Sequence, residues 1–206
     1  VDNSRDSGTA RGIGGQTGAE GRDFAKQASG LGGLVHVYAT FAANLFAISA
    51  GFQALSKAAN VSNMVKGLDQ LGAASGRNLG TTAKQLAAVT DGAVSLQEAM
   101  TATAQASSAG ITSANILRMG EVAKRASQAL GRDMTDSLSR LSRGITKIEP
   151  ELLDELGIMV KVDQASQNYA RSIGKSASAL TDFEKRQAFA NEVLSQAEQK
   201  FGSIKL

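Results

Sequence analysis

The chain has 206 residues, of which 4% are aromatic, one is proline and none is tryptophan or cysteine, and its formal net charge is +3. Without cysteine it has no disulfide, thiolate metal site or cysteine nucleophile, and one histidine, His36, is too few for a histidine-based triad or metal cluster. No aromatic residue lies between Phe52 and Tyr169, so we expect an all-α chain with a thin, alanine-rich core rather than a compact globular enzyme. We expect extended helices packed along their length, together with short helix-turn-helix elements.

Composition divides the chain into four predicted regions. Residues 1–23 are rich in Gly, Ser and charge, which is typical of a flexible linker. Residues 24–58 form a hydrophobic helix that we expect to insert into membranes, 59–115 form Ala/Gly-rich helices, and 116–206 form a further helical region. Because the chain begins at Val1 without a signal-peptide pattern, we expect it to be a piece of a longer protein.

The second region contains a long uncharged run. No charged residue lies between Lys26 and Lys57, and residues 31–52 exceed the roughly 20 apolar residues that span a bilayer as a helix. The predicted membrane-facing residues are Leu31, Val35, Tyr38, Phe41, Leu45, Phe46, Ile48 and Phe52. A stripe of small side chains recurs every four residues at Ala39, Ala43, Ala47 and Gly51.

Two interpretations of this run remain open. The small-residue stripe lets helices approach closely in a membrane, which favours a segment that inserts on demand. The alternative is a helix buried in a soluble bundle, because polar residues dilute the run. His36 is then either a pH sensor or pore-lining group, or a hydrogen-bonded residue near a helix end.

Helix signals dominate from residue 53 onward. Ser95 with Glu98, and Thr181 with Glu184, match the capping box at a helix start. Thr112 is expected to cap a helix that Gly131 closes.

Glycine and proline mark further predicted boundaries. Gly110, Gly144 and Gly157 each precede isoleucine, which is typical of a Schellman C-cap. Pro150 suits the first turn of a short helix. Residues 158–162 are the one candidate for a short extended segment.

A periodic apolar seam follows Arg132. Its residues, spaced alternately four and three apart, are Met134, Leu138, Leu141, Ile145, Ile148 and Leu152. This a/d spacing predicts packing against another helix, either from this chain or from a second copy. Gly144 and Pro150 interrupt the seam, so we expect two helices rather than one rod.

Charged clusters offer weaker functional candidates. The acidic residues Glu149, Glu151, Asp154 and Glu155 are a possible carboxylate pair for glycoside hydrolysis, but acids at a helix start usually complement the helix dipole. Basic residues that either face DNA phosphates or form a solvated face are Arg118, Arg125, Arg132, Arg140, Arg143 and Lys147. Interleaved acidic residues favour the solvated face, and no nucleophile, base and orienting group come together.

The order of motifs between about residues 120 and 201 resembles a known family. Residues 129–165 read ALGRDMTDSLSRLSRGITKIEPELLDELGIMVKVDQA, and residues 168–194 read NYARSIGKSASALTDFEKRQAFANEVL. This succession resembles the tail tape measure protein of long-tailed bacteriophages and related prophages. The resemblance covers roughly 80 of the 206 residues.

The resemblance implies a structural virion protein with no enzymatic activity and no cofactor. Proteins of that family fill the lumen of the tail tube as extended helices, set tail length, and leave the tube at infection to help DNA cross the host inner membrane. It implies as partners further copies of the chain, in a trimer, the tail tube protein, the tail tip hub and distal tail proteins, the host inner membrane and phage DNA. Because such proteins span many hundreds of residues, we expect this chain to be one part of such a protein. We expect it to be the part near the tail tip, because membrane-active segments should leave the tube first.

Two other hypotheses compete with this one. A free-standing pore-forming or secretion-translocator protein shares the apolar run and the helical remainder. An enzyme domain such as a wall hydrolase is less compatible with a chain that lacks cysteine and a second histidine.

Overall fold

The computed structural model of the chain describes residue 48 and residues 51–53, 60–73 and 75–206. Its elements are α1 (Val61–Ala73), α2 (Leu79–Val89), α3 (Leu96–Ser108), α4 (Ser113–Leu130), α5 (Met134–Lys147), α6 (Pro150–Asp154), α7 (Val162–Ser172), a 3-10 turn (Ala177–Ala179) and α8 (Asp182–Phe201). Ile48 and residues 51–53 are also helical. All regular structure in these residues is helical and no strand occurs among them, which confirms the expected all-α class for this part of the chain.

Side-chain caps fix the helix starts where the sequence predicted them. In the Ser95 box the Glu98 amide donates to Ser95 Oγ at 3.2 Å, and Glu98 Oε2 accepts from the Ser95 amide at 2.8 Å. Thr181 and Glu184 form the same reciprocal pair at the start of α8. Thr112 caps α4 as predicted. Each cap satisfies amides that a first helical turn leaves without partners.

Glycines in the left-handed region end several helices. Gly110, Gly131 and Gly157 have φ of 88°, 63° and 69°. After Gly110 the Ile111 amide donates to the Ala106 carbonyl at 3.0 Å, the long hydrogen bond of a Schellman motif. The Ile158 amide donates to the Leu153 carbonyl in the same way, also at 3.0 Å.

The predicted C-cap at Gly144 is wrong. α5 continues through Gly144 to Lys147 and ends at Ile148, which takes the left-handed φ of 54° itself. Gly144 is needed for another reason: a Cβ there would lie 2.7 Å from Leu153 Cδ2. The missing side chain lets α6, which begins with Pro150 as predicted, fold back against α5.

The segment after α6 is extended without forming a strand. Ile158 and Val160 are buried while Met159 is 75% exposed, the alternation of an extended chain. α7 already begins at Val162, so the extended stretch is shorter than predicted.

Two apolar clusters hold the described helices together. The larger one joins side chains of α2 to α8, and its largest fully buried member is Phe189. The smaller one joins Ile48 and Phe52 to α1, α2 and α3. The longest helix, α8, has 20 residues, and α4, α5 and α8 all contact one another. The expected boundary at 115/116 therefore falls in the first turn of α4, inside a shared core.

Candidate functional site

Most of the predicted membrane segment lies outside the described residues. This applies to Leu31, Val35, Tyr38, Phe41, Leu45 and Phe46, to Ala39, Ala43 and Ala47 of the small-residue stripe, and to His36. Among the residues that are described, no helix has the length and apolar character needed to cross a bilayer.

The end of that segment is packed against the helical body. Ile48 is 1% exposed and Phe52 is 6% exposed, and both join the smaller cluster with Leu68. A Cβ built on Gly51 would overlap the Leu71 side chain of α1. The absence of a side chain at Gly51 thus allows its helical turn to lie close to α1.

The apolar seam points into this chain's own core. Met134, Leu138, Leu141 and Ile145 are buried in the larger cluster, and Ile148 packs against the same cluster. Leu152 is half-buried. The helices that contact α5 are α3, α4, α6 and α8. A second copy could reach these side chains only if the core opened.

One residue of the acidic cluster at α6, Glu155, takes part in ion pairs. Glu155 is held by two cations of the neighbouring elements, Arg140 Nη1 at 2.6 Å and Arg132 Nη2 at 3.7 Å. Arg140 Nε also donates to Asp136 Oδ2 at 2.9 Å. No group of acidic or histidine side chains in the described ranges is arranged to hold a metal ion. Through these ion pairs, Glu155 and Asp136 link α5 to the turn after α6.

Four of the six basic residues singled out from the sequence are engaged in the fold. Arg118 forms an ion pair with Glu198 on α8. The hydrogen bond from Arg118 keeps the pKa of the Glu198 carboxyl below its usual value. Arg125 Nη1 donates to the Ile204 carbonyl at 2.7 Å. Arg132 and Arg140 belong to the network around Glu155. These side chains hold the fold together and are not a free cationic row.

The remaining two, Arg143 and Lys147, lie at a shallow groove between α3 and α5. We call it the basic groove; it has a volume of about 360 Å³. Its lining residues are Gln105, Ser108, Ala109, Arg143, Thr146, Lys147 and Arg186. None of the three cations forms an ion pair with a described residue, and no carboxylate is among the lining residues.

The groove continues along both helices into a second depression. Gln105 and Arg143 line both parts, and the second part has a volume of about 390 Å³. It is lined by neutral polar side chains such as Gln97, Thr101 and Ser139, and by the apolar side chains of Val94, Ala102 and Leu138. Glu98 lies at its far end, where Ser95 lowers the pKa of the carboxyl by hydrogen bonding.

Sequence reasoning found only part of this groove. Arg143 and Lys147 carry a visible signal, since they lie four residues apart on one helix face. Arg186 comes from α8 and Gln105 from α3, and no local pattern connects them with α5. No protein-family model matches the chain, and no solved structure matches it.

Proposed function

We propose that this chain is a segment of a tail tape measure protein of a long-tailed phage, which sets tail length inside the tail tube and helps DNA cross the host inner membrane. The observation that carries the proposal is the motif order of residues 129–194, together with the structural role of the motif residues. The absence of a side chain at Gly144 leaves room for the Leu153 side chain. Lys175 Nζ donates to Glu184 Oε1 at 2.6 Å. Lys200 Nζ binds the Gly157 carbonyl at 2.6 Å.

These contacts are of one kind. Each joins two helices or closes a turn, and none of them collects reactive groups around a cavity. A motif made of such residues specifies a fold, which is consistent with a structural virion protein and with no catalytic role.

The proposal places this segment as a compact domain rather than as an extended rod. As a continuous helix, residues 60–206 would extend about 220 Å at 1.5 Å per residue. A folded domain of that length measures only about 40 Å across, from a radius of gyration near 15 Å. We therefore propose a position near the tail tip, with length set mainly by other, extended parts of the protein.

The proposed partners are those that the family resemblance implies. They are further copies of the chain, as a trimer, the tail tube protein, the tip hub and distal tail proteins, and phage DNA. The host inner membrane joins them after ejection. Because the apolar seam is buried within one copy, contacts between copies would use other surfaces.

Tail length is the test of the assembly role. The codons for residues 60–206 are deleted in frame, or duplicated in frame, in the complete gene, and tails are measured by electron microscopy. Deletion should shorten the tails and duplication should lengthen them, each by roughly 40 Å for a folded domain. A change near 220 Å would mean that the region is extended in the tail. Normal tails of unchanged length in both strains would exclude the proposal and favour a free-standing pore-forming or translocator protein.

Liposome flotation tests the membrane role separately. The full chain is compared with a variant lacking residues 31–47, which keeps Ile48 and Phe52 for the smaller cluster. We expect flotation of the full chain only, at neutral pH or at pH 5. A requirement for pH 5 would point to His36. No flotation under either condition would leave residues 31–52 as a packing helix.

A further inference from the structure

The basic groove brings together three cations that form no ion pair with a described residue. Arg143 and Lys147 project from successive turns of α5, and Arg186 reaches the same groove from α8. By contrast, Arg118 and Arg140 are each bound to a carboxylate within 3 Å. Folding thus engages some basic residues in structural ion pairs and places three others around one groove.

The charge in the groove is not balanced locally. No carboxylate lines it, and the described residues offer none of these three cations an ion pair. The last carbonyls of α3 and α5 lie nearby and offset only a fraction of a charge at each helix end. Three positive charges around one concave surface raise the local concentration of anions.

Side-chain amides lie beside these charges. Gln105 lines both parts of the groove, and Gln97 lines the second part. The hydroxyls of Thr101, Ser108 and Thr146 donate to carbonyls of their own helices, so they can only accept hydrogen bonds from a ligand. Amides of this kind commonly contact phosphate oxygens and sugars.

We propose that the basic groove binds the phosphate groups of a nucleic-acid strand, with Arg143, Lys147 and Arg186 as the phosphate contacts. The groove is open and elongated, which suits a chain of phosphates better than an enclosed small molecule. No aromatic side chain lines it, so bases have no stacking platform and binding should depend little on sequence. Glu98 lines the second depression and is not among the residues around the three cations.

This inference does not rest on the proposed tape measure role. A phosphate-binding groove and a tail-length phenotype are measured in separate experiments, so either can fail while the other holds.

Fluorescence anisotropy of the full chain with a labelled 20-nucleotide DNA strand tests the proposal. The groove variant is Arg143→Gln/Lys147→Gln/Arg186→Gln. The control is Lys66→Gln/Lys84→Gln/Lys161→Gln, which removes the same charge from exposed lysines outside the groove. At about 50 mM salt we expect the groove variant to weaken binding at least tenfold and the control less than threefold. The slope of log affinity against log salt should be about −2 for three contacts to a single strand.

Several results would overturn the proposal. If the two variants weaken DNA binding equally, the groove is not the binding site, and Arg143 and Lys147 only offset the partial negative charge of the helix ends. An unmodified chain that does not bind the strand, or that binds inorganic pyrophosphate or anionic lipid vesicles equally well, would also exclude a strand-specific groove.

A second measurement avoids dependence on the folding of the variants. Amide shifts of the unmodified chain are recorded by NMR during titration with the same DNA. Shifts concentrated at residues 105, 108, 143, 146, 147 and 186 support the proposal, and shifts that avoid them contradict it.

Discussion

Arg118 and Glu198 form a two-pronged ion pair between α4 and α8: Arg118 Nε donates to Glu198 Oε1 at 2.7 Å, and Nη2 donates to Oε2 at 2.9 Å. The two residues are 80 positions apart in the sequence. The parallel geometry fixes both side chains and is the strongest form of a surface ion pair. It joins α4 to α8, the last helix of the described residues.

The first prediction concerns this pair and pH. Arg118 lowers the folded-state pKa of Glu198, so the pair stabilises the fold above the unfolded pKa near 4.3, and this contribution is lost as pH falls through the lower folded value. Because the side chains are 34% and 45% exposed, solvent screening limits the expected effect of Glu198→Gln to about 0.5–1 kcal/mol at pH 7.

Chemical denaturation at pH 7 and at pH 2.5 checks it. The difference between Glu198→Gln and the unmodified chain should shrink at the acid pH. Glu192→Gln on the same helix is the matched control, because a glutamine there can still accept from Gln196. Equal effects of the two substitutions would show that the ion pair contributes nothing.

The local part of the fold could be predicted from the sequence because its causes are local. In each capping box the two residues are three positions apart, so Ser95 with Glu98, and Thr181 with Glu184, carry their own signal. The role of Gly144 could not be predicted in this way. Its cause is contact with Leu153 on another helix, and the sequence does not show how closely α5 and α6 approach.

The same distinction applies to the candidate site. The sequence presents six similar basic residues, and only the fold shows which are bound. Arg118 meets its carboxylate on α8, and Arg125 meets a carbonyl after α8. Arg186 joins the basic groove from a helix that the spacing on α5 does not indicate.

The second prediction concerns the apolar seam. Leu141 is fully buried, so Leu141→Ala should cost about 2–5 kcal/mol by loss of apolar contact and creation of a cavity. Leu130→Ala should cost much less, because Leu130 is 41% exposed. Denaturant unfolding measures both changes.

Protein concentration separates packing within one copy from packing between copies. If the seam packs only inside the chain, the loss caused by Leu141→Ala is the same at 1 µM and at 100 µM. A loss that varies with concentration would place the seam between copies.

The third prediction tests the contact between Gly144 and Leu153. A Cβ at position 144 would lie 2.7 Å from Leu153 Cδ2, so Gly144→Ala should destabilise the fold by about 1–3 kcal/mol. In a Leu153→Ala background the obstacle is gone, and Gly144→Ala should then be neutral or stabilising by up to about 1 kcal/mol, because alanine favours helix over glycine. A double-mutant cycle by denaturation measures this sign change, and additive effects would contradict the contact.

The fourth prediction concerns the backbone at Ile148. This residue has φ 54° and ψ 53°, the left-handed conformation in which a β-branched side chain is strained. Ile148→Ala and Ile148→Gly both remove the side chain that packs on the core, but only glycine also removes the strain of the Cβ. We therefore expect the glycine variant to be more stable than the alanine variant by about 1 kcal/mol. At Ser139, an exposed position inside α5, the order should reverse, with alanine more stable by about 1 kcal/mol. Thermal unfolding of the four variants compares the two orders. Alanine being the more stable at both positions would mean that Ile148 ends α5 without backbone strain.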